Sequence, residues 1–385
     1  MRNTAEFHVD PPGVFIKDEL EARGWDQSDL AYIVGVTPQQ LSPILSGKNS
    51  ITMKWAQLFA AAFDVNPQFF LNLQTMYDLQ HSAQPESGVK IRADWVSSLP
   101  VREMIERGWI EKTEADLLDL QMMRFFRVND KSEIPFLNEN HAIAHAAKKT
   151  SYDEITPTQF AWLHRVRMIA ETMDAPNYSA DKLKNALSEI RSHMNDKDDF
   201  GQIPQLLFHC GVRVVIVEAL SGSKIDGVCT WLDNQPVIGL SLRLYRPDNF
   251  CFVIRHEIEH ILNEDGKAIQ QSHVDVFDED RDAKNLPDEE KKADKTAAEF
   301  LIPQQKLTSF MDRKGKWISE RDVLAFAARH SIHPAIVIGQ IHHRRHQQGE
   351  EKAYAFLRKY MTDIRDNFRN WQYRDGWGDV APVGL

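Results

Sequence analysis

The chain has 385 residues, with 46 lysines and arginines against 56 aspartates and glutamates, so its net charge is −10. Hydrophobic residues make up 42% and charged residues 26%. This composition excludes a disordered chain, and domains of about 100–200 residues predict two to three of them. The acidic balance also argues against a protein that coats nucleic acid, although one local DNA-binding face is compatible with it.

Neither a membrane span nor a disulfide-linked, exported protein is predicted. The sequence has no apolar run of about 18 residues and no signal-peptide-like apolar stretch at its start. Its three cysteines, Cys210, Cys229 and Cys251, form no CxxC pair. They therefore predict neither a disulfide framework nor a cysteine-rich zinc site, and we expect a cytoplasmic protein.

Two short helices joined by a glycine turn are predicted near the N-terminus. The first begins at Asp26 or Ser28 as N-cap and ends at Gly35. The second helix, Pro38–Leu45, follows Thr37, which is a suitable N-cap, and its proline takes the first helical position. This pattern is typical of a helix-turn-helix motif.

The second helix of such a motif presents its N-terminal residues to base edges in the major groove. Those residues are Thr37, Gln39, Gln40 and Ser42, while Lys48 is placed to contact a phosphate. Residues 1–80 nevertheless hold five basic and nine acidic side chains, which weakens the attraction to DNA. A helical bundle that binds protein is therefore the alternative from the residues alone.

Short motifs extend along residues 11–78 of this region. They are Pro11-Pro-Gly13, Gly35-Val-Thr37, Leu45-Ser-Gly-Lys48, Ile51-Thr52, Phe69-Phe-Leu-Asn-Leu73 and Tyr77-Asp78. Together they resemble the HigA-like branch of the Xre-type regulators. The resemblance implies a five-helix DNA-binding domain, often dimeric and often self-regulating. We therefore expect residues 1–80 to bind a double-stranded DNA operator as a homodimer.

A polar stretch separates this domain from a second helical region. Residues 81–92, with His81-Ser-Ala-Gln-Pro-Glu-Ser-Gly88, are predicted to form a linker. Apolar residues recur three and four apart through residues 93–200, which predicts a helical connecting region. From about residue 205 the pattern becomes that of strands. Residues 212–217, which are rich in β-branched side chains, and a hairpin over residues 227–241 predict a small sheet.

His256 and His260 lie four residues apart in the mostly apolar residues 252–262. On a helix, both imidazoles project from one face and can bind one zinc ion. Glu257 can take a proton from the attacking water and pass it to the leaving amine. Two histidines and two glutamates in a mostly apolar helix are costly without such a role. The sequence therefore predicts a zinc site with Glu257 as the catalytic base.

A catalytic zinc site needs a third protein ligand, which the residues alone leave open. The metzincin class is excluded, because position 263 is not glycine and position 266 is not histidine. Glu290 is one candidate, since a helix would place it on one face with Asp294, which can accept the outer N–H of a ligand histidine. Glu290 could equally belong to an ordinary acidic first turn, and His273 is a rival ligand.

The HExxH segment Arg255-His-Glu-Ile-Glu-His260 is followed by Glu290-Lys-Lys-Ala-Asp294 and Ala297-Ala-Glu-Phe-Leu-Ile-Pro303. With the preceding strands, these motifs resemble the ImmA/IrrE metallopeptidases over about residues 200–345. The resemblance implies Glu290 as the third ligand and a protein substrate, typically a transcriptional repressor that is cut in response to stress. The chain departs from the family pattern in two ways. Its interval before Glu290 is longer and more acidic, and Thr296 replaces the usual phenylalanine.

The sequence thus predicts a mainly α-helical, multidomain chain with an N-terminal five-helix helix-turn-helix domain. A linker over residues 81–92 and a helical region over 93–200 precede an α+β, zincin-like metallopeptidase domain with a small sheet over 201–350. Residues 351–385 are predicted to form an amphipathic helix, over residues 351–371, and a loose tail. The charged residues 264–292 are expected to form a solvated loop.

These features predict a DNA-binding transcriptional regulator with a Zn²⁺-dependent endopeptidase domain. We expect it to cleave a repressor or partner protein in a stress, phage or toxin–antitoxin setting. An edge strand within residues 227–232 could hold the substrate in extended form by strand addition. The alternative is an antitoxin-like, self-regulating repressor whose metal domain binds or senses a partner, such as a toxin, without significant proteolysis.

Overall fold

The computed structural model describes residues 9–83, 88–134, 155–267, 273–275, 286–315 and 317–383. The chain divides into two compact units, Met1–Glu86 and Ser87–Leu385. The predicted fold class is confirmed: the described residues are mainly helical, with helix-turn-helix helices first and a small mixed sheet later in the chain. None of the described helices is long and apolar enough to cross a membrane.

Five helices form the described part of the first unit: α1 (Pro12–Arg23), α2 (Gln27–Val34), α3 (Pro38–Leu45), α4 (Met53–Phe63) and α5 (Pro67–His81). The carboxylate of Asp26 caps α2 by accepting two backbone N–H groups. Gly35 ends α2 with φ 72°, a left-handed conformation that favours glycine. Ile16, Leu41 and Phe59, all fully buried, form part of the core between these helices.

The second unit begins with α6 (Gly88–Ser98), α7 (Val101–Glu106), α8 (Ala115–Phe126), α9 (Pro157–Glu171), α10 (Ala180–His193) and α11 (Ile203–His209). Strands β1 (Arg213–Val217), β2 (Gly227–Leu232) and β3 (Gln235–Leu240) follow, and then α12 (Pro247–Asn263), β4 (His273–Asp275) and α13 (Asp288–Leu301). The remaining elements are α14 (Gln304–Lys314), α15 (Glu320–His330), α16 (Pro334–Gln347) and β5 (Arg374–Asp375). Helix α6 thus begins inside the stretch predicted to be a linker.

The strands form one mixed sheet in the order β4-β2-β3-β1-β5. The predicted hairpin of β2 and β3 is confirmed by antiparallel pairing from Gly227 opposite Leu240 to Leu232 opposite Gln235. Asp233 and Asn234 both have positive φ in its two-residue turn, as the right-handed twist of a hairpin requires. Strand β1 lies between β3 and β5 and is parallel to both.

Helices cover both faces of this sheet. Because successive strand residues point to opposite faces, Val214 packs in the same core as α12, while Val215 packs with α9. The indole N–H of Trp162 on α9 donates to the carbonyl of Val217, at 2.9 Å. The described helices within residues 93–200, predicted as a connection, therefore belong to the same compact unit as the sheet, and α9 buries one of its faces.

The C-terminal residues differ from the predicted helix and loose tail. Residues 351–371 contain short 3₁₀ turns at Ala353–Ala355, Arg358–Tyr360 and Arg365–Phe368, and the positive φ of Leu357 breaks any continuous helix. Their apolar spacing instead reflects the burial of Ile364 and Phe368 in the core.

The end of the chain is held in place by a buried carboxylate. Asp375 of β5 is fully buried, and its oxygens lie 2.6 Å from Arg165 Nη2 and 2.7 Å from Trp109 Nε1. Ala381 donates its backbone N–H to the same carboxylate at 3.0 Å. Burying an unpaired carboxylate would be costly, so these partners fix the C-terminal residues against α9.

Candidate metal centre and DNA-binding helix

Helix α12 carries the HExxH motif through the core of the second unit. It begins with Pro247 in its first turn and ends at Glu264, whose φ is 57°. Ile254, Ile258 and Ile261 are fully buried on this helix. Apolar packing on this scale fixes the helix firmly, so its polar side chains are held in the interior with it.

His256, Glu257 and His260 are all fully buried on α12. The Nε2 atoms of the two histidines lie 2.9 Å apart. Glu290 of α13, only 1% exposed, has one oxygen 3.4 Å from His256 Nε2 and the other 3.3 Å from His260 Nε2. Zinc binds nitrogen and oxygen at about 2.0–2.2 Å, so tetrahedral ligand atoms lie about 3.3 Å apart. The three side chains therefore fit one metal ion.

Two carboxylates hold the outer nitrogens of these imidazoles. Asp294, one turn after Glu290, lies 3.0 Å from His256 Nδ1. Asp265 lies 2.9 Å from His260 Nδ1. A carboxylate at Nδ1 favours the tautomer that carries its proton there, which leaves Nε2 available to a metal ion.

Asp265 is the residue of this site that the sequence analysis missed. It follows α12 directly, and the left-handed conformation of Glu264 turns the chain back toward His260. The indole N–H of Trp231 on β2 donates to the backbone carbonyl of Asp265 at 2.8 Å and fixes this turn. In the sequence, the one signal for Asp265 is the end of the helix at position 264, where a left-handed residue reverses the chain.

Strand β2 lies directly against Glu257. A Cβ atom at Gly227, the first residue of β2, would stand 2.2 Å from Glu257 Oε1 and 2.6 Å from Val253 Cγ1. Real Cβ atoms do not approach so closely, so only glycine lets the strand reach this glutamate. The other glutamate of this helix segment, Glu259, forms an ion pair with Arg255, with 2.9 Å between the charged atoms.

Helix α13 brings Glu290 to the histidines through small buried residues. Ala293 and Ala297 are fully buried, and side chains of this size allow α13 to lie close to α12. Glu289 is exposed on the same helix. The side chain of His273, the rival ligand, lies outside the described residues. The ligand roles of His256, His260 and Glu290, and the role of Asp294, remain predictions.

Helix α3 exposes the side chains predicted to contact DNA. Thr37, Gln39, Gln40, Ser42 and Lys48 are all exposed. Thr37 and Gln40 also form a capping box, in which the Gln40 N–H donates to Thr37 Oγ1 and the Thr37 N–H donates to Gln40 Oε1. Gln40 therefore stabilises the start of α3, while Gln39 and Ser42 have no capping role. Their contacts with DNA remain predictions.

Comparison with known proteins finds a match in each of the two units of the chain. Residues 16–70 match the helix-turn-helix family, and residues 211–337 match the IrrE N-terminal-like domain of a peptidase family. The chain is 35% identical to virulence-associated protein A' of Dichelobacter nodosus over 96 residues, which are 25% of this chain and 83% of that protein. It is 38% identical to an uncharacterized helix-turn-helix-type transcriptional regulator of Haemophilus influenzae over 74 residues, 18% of this chain and 69% of that protein.

The position of Glu290 leads to a prediction about zinc affinity. Glu290→Ala should lose most of the zinc affinity, because two imidazoles alone hold the ion poorly. Glu289→Ala is the matched control and should retain it, since that side chain is exposed. Titration of the metal-free chain with zinc, with the bound metal measured by mass spectrometry, checks both. Equal affinity in the two variants would remove Glu290 from the ligand set.

Asp265 should contribute to zinc affinity without binding the ion itself. Asp265→Ala removes the acceptor at His260 Nδ1 and should weaken zinc binding by roughly 10–100-fold. Asp265→Asn keeps an acceptor oxygen and should lose much less. A competition titration against a zinc chelator measures both variants, and wild-type affinity in Asp265→Ala would show that this carboxylate does not orient His260.

Proposed function

Because the chain belongs to the helix-turn-helix regulators and carries an IrrE N-terminal-like peptidase domain, we propose that it is a DNA-binding transcriptional regulator with a zinc-dependent endopeptidase centre. The observation that supports this most strongly is the convergence of His256, His260 and Glu290 beside the buried Glu257. Three ligands that fit zinc, next to a carboxylate that can move protons, are the components that peptide hydrolysis requires.

Each residue has a distinct task in this proposal. When bound, zinc supplies Lewis acidity, which polarises a peptide carbonyl and lowers the pKa of water. Glu257 takes the proton of the attacking water and delivers it to the nitrogen of the leaving amine. Asp294 and Asp265 keep the two imidazoles oriented through their Nδ1 atoms. Burial of Glu257 excludes bulk water, which strengthens its electrostatic action on the reacting groups.

We infer that the substrate is a protein segment in extended form. Strand β2 begins beside Glu257, so a peptide paired with the β2 edge would pass close to the catalytic carboxylate. A repressor or toxin that acts in the same regulatory circuit suits a peptidase joined to a DNA-binding unit. The first unit would bind an operator as a homodimer, in the cytoplasm, and so control a neighbouring operon.

Replacing the proposed base should separate catalysis from metal binding. Glu257→Gln should retain zinc and lose at least 100-fold in cleavage rate, because the amide cannot accept the proton. Glu289→Gln makes the same chemical change on an exposed glutamate and should cleave as the wild type does. Zinc content, and cleavage of casein and of the proteins encoded next to this gene, are the measurements.

The same experiment tests the alternative function. If the zinc-loaded wild type cleaves none of these proteins but forms a stable complex with one of them, the chain is an antitoxin-like repressor whose metal domain binds a partner. Full activity in Glu257→Gln would exclude this glutamate as the base.

The first unit should bind the DNA upstream of its own gene, with an affinity that falls as salt rises. Gln39→Ala should relax the sequence preference, since this side chain is exposed and takes no part in the capping box of Thr37 and Gln40. Lys48→Ala should weaken binding to all sequences alike and reduce the salt dependence. Lys17→Ala, which changes an exposed lysine of α1, is the control. Electrophoretic mobility shifts with the full chain measure these effects; unchanged preference in Gln39→Ala would exclude base recognition by this residue.

A further inference from the structure

The edge of β2 is already occupied by another part of the same chain. Strand β4 pairs antiparallel with β2, with Asp275 opposite Gly227, Val274 opposite Val228 and His273 opposite Cys229. This strand comes from the long interval between α12 and α13, where the sequence departs from the compact family pattern. It lies on the edge that the proposed function assigns to the substrate.

The pairing of β2 with β3 identifies the backbone groups that β4 uses. Ser241 donates its N–H to the carbonyl of Asp226, the residue directly opposite it in the continued register, so this is a hydrogen-bonded pair. Such pairs alternate along antiparallel strands, and Val228 therefore bonds toward β3. The N–H and C=O groups of Gly227 and Cys229 must then point to the other edge, toward β4.

These are the groups that an extended substrate would need. Gly227 is also the residue that lies against Glu257 Oε1, so a peptide bound to its backbone groups is placed next to the proposed base. Two strands cannot bind the same N–H and C=O groups at once. Pairing with β4 and pairing with substrate therefore exclude each other.

We propose that β4 is an intramolecular competitor of the substrate, so that a protein segment binds the β2 edge only when β4 leaves it. The inference rests on the proposed function for its biological meaning, but the competition itself is a property of the strand pairing. A three-residue strand forms few hydrogen bonds, so a longer extended segment can replace it. Its covalent attachment compensates by a local concentration on the order of millimolar.

The register supplies a substitution that breaks this pairing selectively. His273 and Asp275 stand opposite Cys229 and Gly227 in the hydrogen-bonded pairs, and proline at both positions removes the two N–H donors. His273→Ala with Asp275→Ala is the matched control, because it changes the same side chains and keeps both donors. Replacement of residues 268–285 by a Gly-Ser linker removes the strand altogether and serves as a second variant.

A peptide-binding measurement tests the proposal without requiring catalysis. The probe is a fluorescein-labelled synthetic peptide with the sequence of residues 271–277, and its anisotropy is followed with the full, zinc-loaded chain. All variants carry Glu257→Gln, so that the probe is not cleaved. We expect the double proline variant and the linker variant to bind the peptide at least tenfold more tightly than the chain with an intact β4. The double alanine variant should bind as weakly as that chain.

The outcomes separate this proposal from the proposed function. Equal peptide affinity in all variants, or no binding by the linker variant, overturns the competition. Casein cleavage is then measured separately, with the same β4 variants but with Glu257 in place of glutamine. Tighter peptide binding without any cleavage would disprove the endopeptidase and retain the competition, whereas cleavage at equal peptide affinity would do the reverse.

Discussion

The second unit depends on one requirement: the two imidazoles buried on α12 must have polar partners in the core. His256 and His260 are fully buried, and the apolar side chains around them offer no hydrogen bonds. The carboxylate oxygens of Glu290 lie near Nε2 of both histidines. Asp294 lies near Nδ1 of His256, and Asp265 lies near Nδ1 of His260. The arrangement of α12 against α13 follows from this need, and small residues on α13 allow the close approach.

Strand β2 of the sheet contacts the same group of buried polar residues at two points. Gly227 brings β2 against Glu257, and Trp231, four residues along the same strand, fixes the turn that carries Asp265. A single strand thus contacts both the proposed base and a group that orients a proposed ligand. Helix α9 and its neighbours bury the face of the sheet opposite to α12.

Without β4, the β2 edge beside the proposed endopeptidase centre would bind substrates and other extended chains alike. Unpaired N–H and C=O groups at a sheet edge bind any extended chain that can reach them. Pairing with β4 satisfies those groups within the molecule and adds selectivity, because a segment must bind better than the chain's own strand.

The local sequence determined those features that depend on spacing along one element. The spacing of four residues from His256 to His260 places both on one helix face, and Thr37 followed by Pro38 identifies the start of a helix. The turn at Asp233 and Asn234 similarly predicts the hairpin. The motif that begins at Glu290 also indicated the proposed third ligand, although only through its resemblance to a family pattern.

Tertiary structure decided everything that joins distant segments. Glu290 contacts both histidines across the long interval after His260. Asp265 contacts His260 because Glu264 is left-handed, and β4 pairs with β2. Neither a helical nor a strand period in the sequence encodes these contacts. The apolar spacing of residues 351–371 was equally ambiguous, because burial of Ile364 and Phe368 in the core produces the same pattern as an amphipathic helix. Periodicity reports which residues are buried locally, whereas the partner that buries them is chosen by packing and by the need to satisfy buried polar groups.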